Sequence, residues 1–281
     1  NRIANKIHQC LAASFVQRGE NIYITPSIGI AMYPADATDH STLLQYADAA
    51  LSHAKECGRA CHQFYNTELT AKSRERLMLE SALRQAIRNQ ELELYYQPKF
   101  DLKNGDLVGA EALLRWQHPE IGMIPPDKFI GIAEESGLIS EIGAWVLNVA
   151  SQTAKRWNQS GHSLKIAVNL SSRQFRGNLL ATVRDALLTH SCDARWLELE
   201  ITESLLIDGD SGVRNTLHAF REMGFSIAID DFGTGYSALG YLRRFPISVL
   251  KIDRSFTSDI TIERDSTELV KAIISMSHSL Y

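Results

Sequence analysis

The pattern of apolar and polar positions changes near Leu92. Before it, apolar residues recur at helical spacing over residues 1–18, 43–57 and 67–89, with one short strand at 23–32. After it, short strands take turns with amphipathic helices. The predicted strands lie at 92–100, 107–116, 164–170, 196–202, 226–231 and 248–253, and the predicted helices at 126–136, 140–160, 173–190, 210–223, 235–244 and 263–281. This alternation predicts a parallel sheet with crossover helices, and its length and regularity favour a (β/α)8 barrel over an open doubly wound sheet.

Polar side chains fall on one face of several predicted strands. In residues 166–170 the branched side chains share one face, whereas Ala167 and Asn169 share the other. The same parity groups polar residues in the other strands: Glu111 with Arg115, Glu198 and Glu200 with Thr202, Ala228 with Asp230, and Lys251 with Asp253. Because the strands of a barrel open onto a shared mouth at their carboxyl ends, we expect these side chains to converge there.

The chemistry of the converging residues indicates a hard divalent cation. Residues 226–237 run from a short strand into a glycine-rich loop that begins with the adjacent carboxylates Asp230 and Asp231. Neighbouring carboxylates repel each other, and a divalent cation relieves that repulsion. A set without thiolate or imidazole suits Mg²⁺ or Mn²⁺ better than zinc. The predicted ligands are Glu111, Asn169, Glu200 and Asp230.

Taken singly, these residues have ordinary structural explanations. A lone Glu111 or Glu200 is commonly a rim charge, Asn169 a turn-forming amide and Lys251 a surface lysine. The paired aspartates could simply cap a loop, and their glycine spacing is not that of a dinucleotide fingerprint. Matching parity at five strand ends favours a shared site over these separate explanations.

The amino-acid composition limits the kinds of partner that the protein is expected to bind. The chain has 281 residues, a formal net charge of −4, 44% hydrophobic and 22% charged residues. A mildly acidic protein is a poor partner for nucleic acid polymers, so phosphate groups must be handled locally by a metal or by placed Arg and Lys side chains. The four cysteines show no disulfide or complete zinc pattern and are expected to be reduced thiols. The sequence has no apolar run near membrane-spanning length, so no membrane contact is predicted.

The first 65 residues carry a resemblance of their own. The segments 27–31, 33–34, 47–50 and 54–59 resemble the C-terminal part of a GGDEF, or diguanylate cyclase, domain. The Gly-Gly-Asp/Glu-Glu-Phe turn that names that family is not in the chain. We therefore expect an α/β fold fragment here, without cyclase activity.

Later motifs closely resemble the EAL phosphodiesterases from about residue 76 onward. They are Glu111–Trp116, Asn169–Ser171, Glu200–Ser204, Asp230–Ser237 and Leu250–Asp253. Members of that family hydrolyse bacterial cyclic di-GMP to linear pGpG. The resemblance implies the same substrate, two Mg²⁺ or Mn²⁺ ions, inhibition by Ca²⁺ and a homodimer formed through the EAL domain.

The resemblance also implies a role for each matched position. Glu111, Asn169, Glu200 and Asp230 bind the first metal ion, and Asp231 and Asp253 hold the second. Lys251 positions the attacking water, Glu203 anchors the loop after Asp231, which couples the site to dimerisation, and Gln97 and Arg115 contact the substrate.

The expected organisation is part of an α/β GGDEF domain over residues 1–65, a helical join over 66–89, and a TIM-like EAL barrel over 90–281 that lacks its last strands. We expect a piece of a longer cytoplasmic protein, weakly active or inactive by itself, with the general base beyond Tyr281. Whether a sensory domain lies upstream, and whether the full-length protein is tethered to the inner membrane, are questions that the sequence leaves open. The alternatives are a non-catalytic cyclic di-GMP receptor and a scaffold that acts through dimerisation.

Overall fold

The computed structural model describes residues 2–12, 14–17, 20–207, 211–233, 244–258, 260 and 264–280. The chain divides into two units, Asn1–Ser81 and Ala82–Tyr281, and the boundary falls inside one helix. No helix in the described ranges combines the length and apolar character needed to cross a bilayer.

The first unit contains three helices and four short strands among its described residues. They are α1 (Arg2–Leu11), β1 (Phe15–Gln17), β2 (Glu20–Ile22), β3 (Ile28–Ile30), α2 (His40–Glu56), β4 (His62–Phe64) and α3 (Thr67–Ala86), which continues into the second unit. β3 and β4 pair in parallel, and α2 packs on both. The Asp39 carboxylate accepts a hydrogen bond from the Thr42 backbone N–H at 2.9 Å and so caps the start of α2.

Two predictions for this unit were wrong in extent. The helix expected over residues 1–18 ends at Leu11, because Phe15–Gln17 pairs antiparallel with Glu20–Ile22 instead. Aromatic and β-branched residues such as Phe15 and Val16 favour a strand when a partner strand is present. The strand expected over 23–32 is shorter in the structure and comprises only β3, because among the described residues only β3 of this stretch pairs with another strand.

The second unit is a mixed sheet covered by helices. Its described elements are β5 (Leu92–Phe100), β6 (Leu107–His118), β7 (Gly122–Ile124), α4 (Pro126–Ser136), α5 (Ile139–Gln159), β8 (Lys165–Asn169), α6 (Leu179–His190), β9 (Leu197–Thr202), α7 (Glu203–Ile207), α8 (Ser211–Met223), β10 (Ser226–Phe232), β11 (Val249–Ile252), α9 (Arg254–Thr257) and α10 (Arg264–Leu280). The strand order is β11-β10-β9-β8-β6-β5, with β7 paired to β6.

Five of these strands run parallel, in the order expected for consecutive β/α units: β6, β8, β9, β10 and β11. β5 departs from the predicted parallel pattern and pairs antiparallel with β6. The connection between them is a tight turn in which the Asp101 N–H donates to the Asp106 carbonyl. A turn this short can only form a hairpin, because a parallel partner needs a crossover of a dozen or more residues.

The predicted helices of this unit correspond to α4, α5, α6, α8 and α10, with one interruption. The stretch predicted as helix 173–190 is a 3₁₀ helix, Ser172–Arg176, followed by α6. Gly177 lies between them with extended backbone, so the helix cannot run through. The helix predicted at 235–244 lies almost wholly outside the described residues.

The core lies between the sheet and the helices. Ile166 and Val168 on β8, and Leu197, Leu199 and Ile201 on β9, are buried, as are Ile142 and Leu147 on α5. The opposite face of the same strands carries Asn169 and Glu200. Packing of the branched residues against helices therefore fixes which side chains turn toward the interior of the barrel.

Candidate active site

Carboxylates from separate strands meet inside the sheet. Oxygen atoms of Glu111 on β6, Glu200 on β9 and Asp230 on β10 all lie within 4.8 Å of one another. Glu200 is fully buried, whereas Glu111 and Asp230 are partly exposed. Because side chains alternate between the two faces of a strand, all of these residues lie on one face of the sheet. The parallel register of the strands brings them side by side.

Lys251 on β11 donates to all of these carboxylates. Its Nζ lies 3.0 Å from Glu111 Oε2, 2.6 Å from Glu200 Oε2 and 2.8 Å from Asp230 Oδ2. Burial alone would lower the pKa of Lys251, but Asp230 and Glu200 outweigh it and raise that pKa well above its usual value. Lys251 is therefore a fixed positive charge among the carboxylates.

The pKa values of two acidic partners of Lys251, Glu200 and Glu111, shift in opposite directions. Burial raises the pKa of Glu200 above its usual value, against the effect of both neighbouring lysines. Burial also pushes the pKa of Glu111 upward, but Lys251 and the hydrogen bond from Asn169 outweigh it, so the pKa of Glu111 lies below its usual value. At neutral pH Glu111 is therefore held as an anion.

Asn169 ends β8 beside this cluster. Its Nδ2 donates to Glu111 Oε1 at 2.9 Å. The turn that follows is fixed by two hydrogen bonds, from Ser171 Oγ to Glu134 Oε1 at 2.7 Å and from the Ser171 N–H to Gln174 Oε1 at 2.8 Å. The sequence reasoning did not single out Glu134 or Gln174, and only a capping-box spacing from Ser171 to Gln174 signals the second of these contacts.

The loop after β10 begins in a conformation that few residues adopt. Asp231 has φ 53° and Gly233 has φ 102°, both in the left-handed region. A Cβ on Gly233 would also lie 2.9 Å from the Phe256 ring. The Gly233 N–H donates to Glu203 Oε2 at 3.2 Å, so Glu203 at the start of α7 holds the first turn of this loop. Residues 234–243 lie outside the described ranges.

Asp231 and Asp253 form a second acidic position next to the first. Burial, Asp230 and Asp253 raise the pKa of Asp231. The pKa of Asp253 is lowered instead, chiefly by hydrogen bonds from the Ser255 hydroxyl and the Ser255 N–H at the start of α9. The two carboxyl groups are thus close enough to influence each other's protonation.

Gln97 and Arg115 lie on the same face of the β5–β6 pair. Gln97 is opposite Glu111 in the register, and its side chain is exposed. Arg115 follows Glu111 by two side-chain periods; its guanidinium carbon lies 5.6 Å from the Tyr95 ring centroid, and its Nη1 donates to the Leu114 carbonyl. Gln97 therefore lies on the strand that pairs with the one carrying Glu111, and Arg115 lies on the same strand as Glu111.

A further polar layer, which the sequence reasoning did not assign, lies beneath the cluster. Lys99 Nζ on β5 lies 2.8 Å from Glu200 Oε1 and 3.1 Å from Glu198 Oε1. Ser226 Oγ donates to Glu198 Oε2 at 3.0 Å. Lys99 and Glu198 also line a cavity of about 560 Å³ near the amino ends of β8 and β9. The parity of Lys99 with Gln97 was the available signal for this layer.

The donor set fits a hard cation. Ligand oxygens lie about 2.0–2.6 Å from a bound Mg²⁺ or Ca²⁺, so carboxylate oxygens within 4.8 Å of one another can share one ion. Together, the cluster and the polar layer beneath it contain four carboxylates (Glu111, Glu198, Glu200 and Asp230) and two ammonium groups, Lys99 and Lys251. These groups have a formal charge of −2. A divalent cation would balance that charge.

Comparisons with known families agree with the division of the chain. The family model described as EAL domain matches residues 80–281, and the model described as diguanylate cyclase, GGDEF domain, matches residues 1–61. The order of the two matches is that of the two resemblances read from the sequence.

Curated relatives match along nearly the whole chain. The bifunctional diguanylate cyclase/cyclic di-GMP phosphodiesterase MucR of Pseudomonas aeruginosa is 42% identical over 280 residues, which are 99% of this chain and 41% of MucR. The cyclic di-GMP phosphodiesterase NbdA of the same species is 40% identical over 281 residues, which are 99% of this chain and 36% of NbdA. The chain thus spans well under half the length of these relatives.

Solved structures of related proteins have a similar fold. The MucR phosphodiesterase in complex with c-di-GMP superimposes with a TM-score of 0.69 at 45% identity, over 72% of this chain and 83% of that one. The EAL domain of Xanthomonas citri FimX in complex with c-diGMP gives a TM-score of 0.67 at 27% identity, over 75% of this chain and 83% of that one. The predicted TIM-like barrel is confirmed by these likenesses together with the parallel-rich sheet.

Proposed function

This chain belongs to the EAL domain family, and on that basis we propose that it hydrolyses one phosphodiester bond of cyclic di-GMP to give linear pGpG, with Mg²⁺ or Mn²⁺ as cofactor. The observation that carries the proposal is the convergence of Glu111, Glu200 and Asp230 around the Lys251 ammonium group. A site of this composition would neutralise phosphate oxygens once it holds a divalent cation, and that neutralisation is the main requirement of phosphodiester hydrolysis.

The cation would be held by Glu111, Glu200 and Asp230 together with the Asn169 amide, which adjoins Glu111. A divalent ion in such a site supplies Lewis acidity toward phosphate and lowers the pKa of water. Lys251 keeps its proton and donates hydrogen bonds at the centre of the site, so it suits the role of orienting the attacking water or a phosphate oxygen.

A second ion would be held by Asp231 and Asp253. Their mutual influence on protonation supports this assignment, because like charges at close range are most stable beside a cation. Glu203 holds the Gly233 N–H and so fixes the loop that presents Asp231. We propose that this loop, continuing past Gly233, couples the site to a homodimer formed through the EAL domain.

Substrate contacts are proposed at the edge of the site. Gln97 is exposed on the strand next to Glu111, and its amide suits a guanine edge or a ribose hydroxyl. Arg115, beside the Tyr95 ring, offers a charged fork to phosphate.

The domain limits and the location follow as parts of the same proposal. Residues 1–65 would be the C-terminal part of a GGDEF domain, 66–89 a helical join, and 90–281 EAL domain. The protein would act in the cytoplasm, where its nucleotide substrate is, and Ca²⁺ would bind without supporting turnover.

The test is product formation by the purified full-length protein, of which this chain is expected to be a piece, with Mg²⁺ or Mn²⁺, followed by chromatography of cyclic di-GMP and pGpG. Glu111→Ala should reduce turnover by more than the roughly 10–100-fold typical for groups that only support a metal ligand. The exposed turn residue Glu120 offers a matched control, since Glu120→Ala should leave turnover unchanged.

Calorimetry with Ca²⁺ and then Mg²⁺ separates a hydrolase from a non-catalytic receptor. A hydrolase should bind cyclic di-GMP in Ca²⁺ and consume it in Mg²⁺. Persistent binding in both ions without pGpG would contradict the enzymatic proposal and support the receptor.

A further inference from the structure

We propose that Lys99 is a positioning residue, which holds the Glu200 carboxylate in the orientation needed to bind a cation, and that Glu198 serves to hold Lys99. The inference deepens the proposed function and rests on it for the identity of the cation site. It starts from the polar layer beneath the carboxylate cluster, where Lys99 connects Glu198 with Glu200.

Glu200 is held at both of its oxygens. Oε2 accepts from Lys251 on the side of the cluster, and Oε1 accepts from Lys99 on the side of the cavity. The terminal torsion of a glutamate is broad, so a carboxylate with one fixed oxygen can still rotate. With Lys99 in place the plane of the Glu200 carboxylate is determined, and Oε2 shares the Lys251 ammonium group with Glu111 and Asp230.

Lys99 also separates two buried anions. Glu198 and Glu200 are on the same face of β9, with side-chain exposures of 10% and 0%. Without a cation between them, these carboxylates would repel each other, and Glu200 would turn away from Glu198. Ser226 holds the other oxygen of Glu198, so Glu198 offers Lys99 a fixed acceptor and makes no contact of its own with the cluster among the described hydrogen bonds.

Stability alone does not explain this arrangement. Replacing a buried ion pair by well-packed apolar residues is often neutral or stabilising. The same interior face already uses Ala167 and Ala228 beside these residues, so an apolar layer is compatible with the barrel. In metal sites, a group that is hydrogen-bonded to a metal ligand orients that ligand and changes the metal affinity. The contact of Lys99 with Glu200 is of this kind.

The experiment measures Mn²⁺ affinity by calorimetry and thermal stability by circular dichroism on the same proteins. Lys99→Met should raise the Kd for Mn²⁺ by about 10-fold or more, within the roughly 10–100-fold range of groups that support metal ligands. Lys99→Arg and Glu198→Gln should stay within about threefold of the wild type. The first keeps a cationic donor for Glu200 Oε1, and the second keeps a carbonyl oxygen that can still accept from Lys99. Lys103→Met, in the exposed turn after β5, is the matched control and should change neither quantity.

The double variant Lys99→Met with Glu198→Gln separates positioning from general stability. It removes the buried unpaired charge and should recover thermal stability toward the wild type, but the Kd for Mn²⁺ should stay raised. Recovery of affinity together with stability would overturn the proposal, since Lys99 would then act only by compensating Glu198.

Three further outcomes would also overturn it: wild-type affinity in Lys99→Met, a loss in Glu198→Gln as large as that expected for Lys99→Met, or absence of Mn²⁺ binding by the wild type. If Lys99→Met does not fold, the double variant Lys99→Met with Glu198→Gln, which leaves no unpaired Glu198 charge, decides the question through its Kd for Mn²⁺. Hydrolysis is assayed separately, so a protein that binds Mn²⁺ as described without cleaving cyclic di-GMP contradicts the proposed function and leaves the role of Lys99 intact.

Discussion

Lys251 shows how one residue can pair with a whole cluster of carboxylates. Its ammonium group lies within 3.0 Å of an oxygen atom from each of Glu111, Glu200 and Asp230. The cluster therefore has a positive charge at its centre. Removing that charge should make the fold depend on an added ion, because uncompensated carboxylates would remain buried together.

We expect Lys251→Met to lower the free energy of unfolding by about 3–5 kcal/mol in a chelator, as for other broken buried ion pairs. Excess Mg²⁺ should restore a large part of this loss. Urea unfolding with and without Mg²⁺ measures both effects. The control is Lys271→Met, which removes the exposed pair with Glu268 and should cost no more than about 1 kcal/mol. Equal losses in the two variants would contradict the prediction.

Cys192 is a second residue whose environment has a measurable consequence. The thiol is buried, and burial raises its pKa to about 11. In the unfolded chain a thiol loses its proton near pH 8.5. Between these values the unfolded state releases a proton that the folded state retains, so the contribution of Cys192 to stability falls as the pH rises.

The measurement compares wild type with Cys192→Ala in urea at intervals from about pH 8 to about pH 11, the window set by the two thiol pKa values. The stability advantage of the wild type should shrink as the pH increases. Other groups titrate in the same range, but they are common to both proteins and cancel in the difference. An advantage that is constant or grows with pH would contradict the assignment.

At the scale of elements, the turn after β8 depends on packing between two helices. Gln174 of the 3₁₀ helix is buried against Gly143 on α5, and it accepts from the Ser171 N–H two residues after Asn169. A Cβ added at Gly143 would overlap Gln174 Nε2. The position of Asn169 is thereby linked to a glycine far from the cluster in sequence.

Gly143→Ala should therefore lower the free energy of unfolding by about 1–3 kcal/mol, as overpacking usually does. It should also weaken Mn²⁺ binding, since Gln174 must move. Gly131→Ala on α4 is the matched control, because no atom lies within 4 Å of its added Cβ. That control should gain about 0.5–1 kcal/mol from the better helix propensity. Unfolding curves and Mn²⁺ titrations of both variants provide the check.

At the scale of the whole molecule, the carboxylate cluster draws its residues from β6, β9 and β10. A cation bound there links strands that are far apart in the chain, so it should stabilise the unit Ala82–Tyr281 as a whole. Saturation at 100 times the Kd corresponds to about 2.7 kcal/mol. For a domain of this size that equals a rise in Tm of roughly 5–10 °C.

Differential scanning calorimetry with and without Mg²⁺ measures this shift. Glu111→Gln is the control, because it keeps the shape of the side chain and removes one charged ligand. The shift should disappear in that variant. A similar rise in Tm for both proteins would indicate general ion effects and contradict binding at the cluster.

The sequence by itself determined the alternation of strands and helices, the parity of each strand and the membership of the family. The helix predicted at 126–136 corresponds to α4, and the strand predicted at 92–100 to β5, because both depend on local periodicity and end signals. Parity also placed Glu111, Glu200 and Asp230 on one face, and they meet in the structure. Their roles as ligands, and those of the other site residues, stay predictions.

Only the tertiary structure decided how the polar residues are partnered. The contact between Lys251 and Glu111 joins residues 140 positions apart, and that between Lys99 and Glu200 joins residues 101 apart. Local periodicity assigns a side chain to a face, but the curvature and register of the sheet decide which side chains on that face touch. For that reason the sequence indicated a cluster of acidic residues, whereas the fold showed that two lysines hold Glu200 between them.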